Sequence, residues 1–332
     1  MFIQQFVQQS DLNRGAMHSS QLNPSASRLH RRGLSLAVIG LSLLAWAGSA
    51  QASTTPQTTR VTHNPYVVYG NDDRLDVYEE TDAARRDLAQ SVVALVPGNT
   101  LKPAGMGFRL QAGTLQQEAG VCSSEKFADQ IIPAFCSGVL VAPNVIATAG
   151  HCVQDANFCS STKFVFGFNI DSKGKDPALV DADQVVSCKK VIHSEVNGMG
   201  SDFALVEIDR QVTNRPSLPM SQRQHQVGEG VFVIGHPVGL PAKIAGGAEV
   251  RRQTGDYFIA NLDTFGGNSG SAVFDAKTNA IAGLLVRGER DFTSRGGCQV
   301  SFRCRIDGCR GEDVSNADKI MTKLREFQNS RP

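Results

Sequence analysis

Tryptophan is nearly absent from this chain, with one residue (Trp46) in 332, beside four tyrosines. Its cores must be filled by aliphatic side chains and by the 17 phenylalanines. An excess of either charge is also missing. Lys and Arg number 33 against 32 Asp and Glu, a formal net charge of +1. The first 52 residues hold four arginines and one aspartate, which leaves 29 basic and 31 acidic side chains after them. With no basic excess to meet phosphates, there is no electrostatic case for nucleic-acid binding. No internal repeat or low-complexity tract stands out. The apolar run from Leu34 to Ala47 is too short to span a bilayer comfortably. What remains is ordinary globular composition, 41% hydrophobic and 20% charged, enough for one large or two smaller cores.

Residues 1–52 have the pattern of a signal peptide. Arg28, His30, Arg31 and Arg32 form a positive region, Leu34 to Ala47 an apolar one, and Ala50-Gln51-Ala52 a small-x-small cleavage pattern before Ser53. Length and cleavage pattern favour a removable leader over a membrane anchor, and Trp46 would leave with it. All eight cysteines lie after the cut: Cys122, Cys136, Cys152, Cys159, Cys188, Cys298, Cys304 and Cys309. An even number behind a leader points to disulfides in an oxidising compartment, periplasmic or secreted, with the pairing open. The Cys298, Cys304, Cys309 spacing is not a standard zinc ligand pattern, and no metal is expected.

Residues 53–66, rich in Thr, Gln and Pro, read as a propeptide or a flexible tail. A more ordered pattern begins at Val67, and Thr81 to Gln90 has helix-forming composition with Thr81 or Asp82 at its N-cap. Short β-branched and aromatic runs come next at 91–96, 107–110, 135–141, 145–148, 164–168 and 185–192, bounded by Gly, Pro, Asn and Asp. A polar stretch over 213–226 reads as an interdomain linker. The β pattern then resumes at 230–234, 242–244, 248–252, 257–261, 271–274 and 280–286. After Gly288 comes a charged loop dotted with cysteines. Ile320, Met321, Leu324 and Phe327 are spaced for the apolar face of a closing helix over 316–328. Many short strands and few helices predict an all-β barrel or sandwich protein, with a first domain over 67–212 and a second over 227–332.

Three segments carry chemistry. Thr264-Phe265-Gly266-Gly267-Asn268-Ser269-Gly270-Ser271 crowds one serine with glycines. A serine that attacks a carbonyl needs a base in reach, an exposed hydroxyl and backbone N–H groups aimed at the oxyanion. Glycines let the chain turn sharply enough for the N–H groups of Gly267 and Ser269 to share one small hole. Thr148-Ala149-Gly150-His151-Cys152 sets a histidine in a tightly specified flank. Cys136 lies sixteen residues before Cys152 along a hairpin-like path that would bring both sulfurs beside His151. The other histidines lack such a setting and read as structural or solvated. Ser201-Asp202-Phe203-Ala204-Leu205 places a carboxylate at the head of an apolar strand, where it needs a hydrogen-bonded partner.

Taken together, TAGHC around His151, SDFALVEI around Asp202 and GGNSGS around Ser269 resemble the chymotrypsin-like (trypsin-fold) serine peptidases, in particular the bacterial branch that includes glutamyl endopeptidases and exfoliative toxins. The motifs stand in the family's order over about residues 90 to 290. The resemblance implies two antiparallel β-barrels with the active site between them, a Cys136–Cys152 disulfide, and a catalytic triad of His151, Asp202 and Ser269. It implies an oxyanion hole from the Gly267 and Ser269 N–H groups, no cofactor, and protein or peptide substrates. Asn268 stands where trypsin and chymotrypsin have aspartate, so it cannot make their activating ion pair with a freed α-amino group. Leu285 stands where glutamyl endopeptidases place a pocket histidine, which argues against Glu specificity. Asp263, six residues before Ser269, resembles the pocket-base aspartate of trypsin, with Thr264 beside it. In that role it would select Arg or Lys and make the bond after Arg60 a self-processing site; the alternative is a turn residue that faces away or is neutralised by a nearby base such as Arg287. The expected protein is an exported monomeric serine endopeptidase with no membrane anchor once its leader is gone. The alternative is a catalytically silent relative acting in binding or adhesion.

Overall fold

The computed structural model describes residues 68–330. The leader expected over 1–52 and the tail expected over 53–66 lie outside the described residues. The described residues form two closed six-stranded antiparallel barrels. Around the first, the order is Val185–Val196, Asp202–Ile208, Val145–Thr148, Cys136–Ala142, Val92–Pro97 and Thr162–Phe166. Around the second it is Gly230–Gly235, Ala272–Asp275, Ile281–Arg287, Glu312–Asn316, Tyr257–Ala260 and Lys243–Gln253, closed by pairing of the last with the first.

Strands in a one-sided sheet alternate apolar and polar, but here several are buried along their whole length, among them Cys136–Ala142 and Asp202–Ile208. The reason is that both faces of these strands meet a core. Ala204, Val206 and Ile208 point into the first barrel with Leu95, Leu140, Phe164 and Phe166. Phe203 and Leu205, on the other face, pack with Phe232, Ile234, Ala272 and Leu284 of the second barrel. Val231 and Val233 turn the opposite way, into the second barrel's interior with Phe258, Val273 and Val314. The strand headed by Asp202 and the strand Ala272–Asp275, which follows Ser269, therefore share one apolar seam between the barrels.

Helix Ala83–Ala89 starts where the Asp82 carboxylate caps the Ala84 N–H at 2.9 Å. The closing helix, Ala317–Asn329, buries Ile320 and Leu324 against the interbarrel seam. No helix among the described residues is long and apolar enough to cross a membrane.

Four disulfides join all eight cysteines: Cys122–Cys298, Cys136–Cys152, Cys159–Cys188 and Cys304–Cys309. The polar stretch 213–226 carries no regular strand or helix, yet it is not merely a surface connection: His225 within it is fully buried and Leu218 nearly so. The N-terminal segment also departs from the sequence reading. That reading puts residues 74–76 with the first barrel, but strand Arg74–Asp76 pairs with Lys243–Gln253 of the second. The Lys243 ammonium, buried under it, donates to Asp76 Oδ1 at 2.6 Å. A lone short strand carries no sign of which sheet edge it will join, and here that buried pair fixes the choice.

Candidate active site

Asp202 opens its strand and is almost wholly buried, the position in which a carboxylate is costly unless held by donors. Two donors hold it, both from His151. The ring Nδ1 lies 2.8 Å from Asp202 Oδ2, and the His151 backbone N–H donates to Oδ1 at 3.1 Å. Strand Val145–Thr148 pairs with Asp202–Ile208 and leads into the short turn Gly150–Val153 that carries the histidine. Gly150 is required there: a Cβ would fall 2.2 Å from the Glu195 carbonyl oxygen. With Nδ1 turned to the carboxylate, the His151 ring keeps partial exposure, 24% of the side chain, on its other side. Ser315, from the second barrel, closes on the backbone of Asp202. It accepts the Asp202 N–H at 3.1 Å and donates to the Asp202 carbonyl at 2.9 Å.

The serine loop is fixed from both barrels. Ser137, next to Cys136, donates its N–H to the Ser269 carbonyl at 2.8 Å and its hydroxyl to the Gly267 carbonyl at 2.9 Å. Gly270 donates its N–H to the Leu285 carbonyl at 2.7 Å, which ties the loop to strand Ile281–Arg287. Gly267 and Gly270 both have φ of 84°, in the left-handed region. A Cβ on Gly270 would meet the Ser137 carbonyl oxygen at 2.2 Å, and one on Gly267 would meet the His236 carbonyl oxygen at 2.8 Å. Asn268 is buried, and its Oδ1 accepts the Ser271 hydroxyl at 3.0 Å.

Among the described residues, the N–H groups of Gly267 and Ser269 donate to no backbone acceptor. No hydrogen bond joins the Ser269 hydroxyl to the His151 ring among the described residues. Cys152, the residue after His151, has its Sγ 3.8 Å from the Ser269 carbonyl oxygen. Catalytic hydrogen bonds of this kind often tighten only when substrate is bound.

Asp263 is placed differently from its expected role. It is buried, and both of its oxygens are committed to the N-terminal segment: Oδ1 accepts the Tyr69 N–H at 2.7 Å and Oδ2 the Asp73 N–H at 2.9 Å. Burial pushes its carboxyl up to about 7. The physical reason is that residues 69–73 arrive with unpaired N–H groups in a buried position, and this carboxylate is what satisfies them. Thr264, its neighbour, is buried and donates its hydroxyl to Glu312 Oε2 at 3.0 Å. Ser315 and Glu312 escaped sequence reasoning, because strand Glu312–Asn316 carries no motif.

Residues 136–284 match the family described as trypsin-like peptidase domain. No curated protein matches the chain. Among solved structures, a Glu endopeptidase is similar at 18% identity, covering 80% of this chain and 100% of its own, with a TM-score of 0.48. The VesB protease of Vibrio cholerae is similar at 12% identity, covering 79% of this chain and 68% of its own, with a TM-score of 0.46. With the two barrels and the match spanning His151, Asp202 and Ser269, the chain contains a trypsin-like peptidase domain and takes the fold of the chymotrypsin-like serine peptidases.

Proposed function

We propose that the protein is an exported serine endopeptidase that cuts peptide bonds through His151, Asp202 and Ser269. The observation that carries the reading is the double hold of His151 on Asp202, by ring Nδ1 and by backbone N–H, next to a glycine-flanked serine loop. That hold fixes the ring with a proton on Nδ1 and leaves Nε2 as the basic nitrogen for the serine. In this mechanism Ser269 Oγ attacks the scissile carbonyl carbon as its proton passes to His151 Nε2. The carbonyl oxygen becomes an anion held by the N–H groups of Gly267 and Ser269. The proton on Nε2 then passes to the leaving amine, and the C–N bond breaks to leave an acyl ester on Ser269. Water, deprotonated by the same nitrogen, attacks the ester and releases the acid. Asp202 stays ionised throughout and stabilises the imidazolium.

Export is supported by the leader pattern of residues 1–52 and by the pairing of all eight cysteines. The substrates are proteins or peptides, and the chemistry requires no cofactor. The test is incubation of the purified protein, and of its Ser269→Ala variant, with an unbiased peptide mixture, reading the cut bonds by mass spectrometry. Cleavage by the wild type alone is expected. Cleavage by neither would favour the silent, binding-protein alternative.

A further inference from the structure

Arg287 ends strand Ile281–Arg287, two residues beyond Leu285. Leu285 is bonded to the serine loop in both directions. Its carbonyl accepts the Gly270 N–H at 2.7 Å, and its N–H donates to the Ser271 carbonyl at 3.0 Å. From this anchored strand the Arg287 guanidinium crosses to the first barrel. Nη1 donates to the Gly198 carbonyl at 3.2 Å, and Nη2 to the carbonyls of Gly200 at 3.0 Å and Met199 at 3.4 Å. Three successive carbonyls thus converge on one cation. They belong to residues 197–201, the tip that joins strands Val185–Val196 and Asp202–Ile208.

That tip lies where the carboxylate and the histidine are held. Asp202 follows Gly200 by two residues and pairs with Val196 across the hairpin. The turn carrying His151 packs against the same hairpin end: a Cβ on Gly150 would fall 2.2 Å from the Glu195 carbonyl oxygen and 2.9 Å from the Val196 side chain. The tip has little of its own to fix it. Gly198 and Gly200 bring no side chain to pack, and Met199 is 64% exposed. Its internal bonds run from the Asn197 N–H to the Ser201 carbonyl at 2.9 Å and from the Gly200 N–H to the Asn197 carbonyl at 2.7 Å. From the closing helix, Lys319 reaches the Ser201 hydroxyl at 3.4 Å.

Arg287 is itself aimed at this task. Its Nε donates to Asp313 Oδ2 at 2.9 Å, and its guanidinium stands 5.1 Å from the Tyr257 ring centroid. All three guanidinium nitrogens are in use, in a planar fork that the single ammonium of a lysine cannot reproduce. Asp313 is fully buried but has a second cation, Arg310 Nη1 at 2.5 Å. Removing Arg287 therefore does not strand that carboxylate without a partner.

We propose that Arg287 is a positioning residue of this peptidase: by holding the tip at 198–200 it sets Asp202 and His151 relative to Ser269. The inference rests on the peptidase reading above and adds a residue that acts through the triad without belonging to it.

The test uses the full chain as wild type, Arg287→Met, Arg287→Lys and Arg310→Met. Two rates are read on each, the labelling of Ser269 by a small alkyl fluorophosphonate and kcat on a peptide. Both are expressed per folded molecule, with the folded fraction taken from denaturant unfolding, so that a loss of stability alone does not move them. Arg287→Met should lower both by about 10- to 100-fold, the scale of a small misplacement within a catalytic constellation. Arg287→Lys should recover only part of the loss, and it serves the same comparison if Arg287→Met does not fold. Arg310→Met removes the other cation of Asp313 without touching the tip, and should label at the wild-type rate. Labelling of Arg287→Met as fast as the wild type, whatever its peptide cleavage, overturns the inference, as does an Arg310→Met slowed to the same extent. Either result leaves the peptidase reading standing, because the wild type is labelled. A wild type that neither cleaves nor takes the label overturns both.

Discussion

The Ser315 hydroxyl is clasped by the backbone of Asp202, accepting its N–H at 3.1 Å and donating to its carbonyl at 2.9 Å. One residue belongs to each barrel, so this pair of bonds sets the carboxylate relative to the loop that carries Ser269. Ser315→Ala leaves a buried N–H and a buried carbonyl without partners. The expected loss of stability is about 1–3 kcal/mol. In peptide hydrolysis kcat should fall more than KM rises, because Asp202 orients the histidine without touching substrate. Denaturant unfolding and steady-state kinetics on the same preparation check both.

Gly270→Ala should be far more damaging than its size suggests. The added methyl meets the Ser137 carbonyl oxygen at 2.2 Å on a backbone with φ of 84°. Neither the first barrel nor the left-handed turn can relax without moving Ser269. The variant should lose more than about 2 kcal/mol of stability and all labelling of Ser269.

The Cys136–Cys152 disulfide closes a sixteen-residue path beside His151. Replacing both cysteines with alanine should lower unfolding free energy by about 3 kcal/mol in the chain-entropy model. Thermal unfolding of the double variant against the wild type measures it.

His236 gives the protein an acid-sensitive point next to the serine loop. The ring is buried against Phe168, and its Nδ1 lies 3.0 Å from the Leu240 carbonyl oxygen. Burial lowers it from 6.5 to about 4, with Lys243 acting in the same direction. A histidine depressed on folding stabilises the native state fully above its unfolded value, and that stability drains away as pH falls from 6.5 towards 4. The full effect is about 3 kcal/mol. The denaturant midpoint should fall between about pH 7 and about pH 4.5, and fall less in His236→Gln.

How much of this was legible beforehand depends on where the partners lie in the chain. His151, Asp202 and Ser269 stand out in the sequence because small neighbours must surround a nucleophile or a clamped histidine, and such runs are short and local. The two barrels can be read from repeated apolar strands, and their full burial from facing two cores at once. Contacts that join distant segments left no such trace. Asp263 reads as a pocket base until residues 69–73, some 190 positions away, are seen to occupy both its oxygens. Ser315 looks like an ordinary polar residue of a strand, and only the proximity of Asp202 gives it work. The same holds for Cys122–Cys298, whose partners stand 176 residues apart.

The central claim is that His151, Asp202 and Ser269 act as one nucleophilic unit. It is tested most directly by treating the protein with a fluorophosphonate at neutral pH and mapping the adduct by mass spectrometry, in the wild type, His151→Ala and Asp202→Asn. The account predicts a single adduct on Ser269 in the wild type. The labelling rate should drop by about 10⁴-fold in either variant, since a serine without its oriented base is an ordinary alcohol. An unlabelled Ser269 in folded wild-type protein, or a labelling rate indifferent to His151 and Asp202, would contradict it.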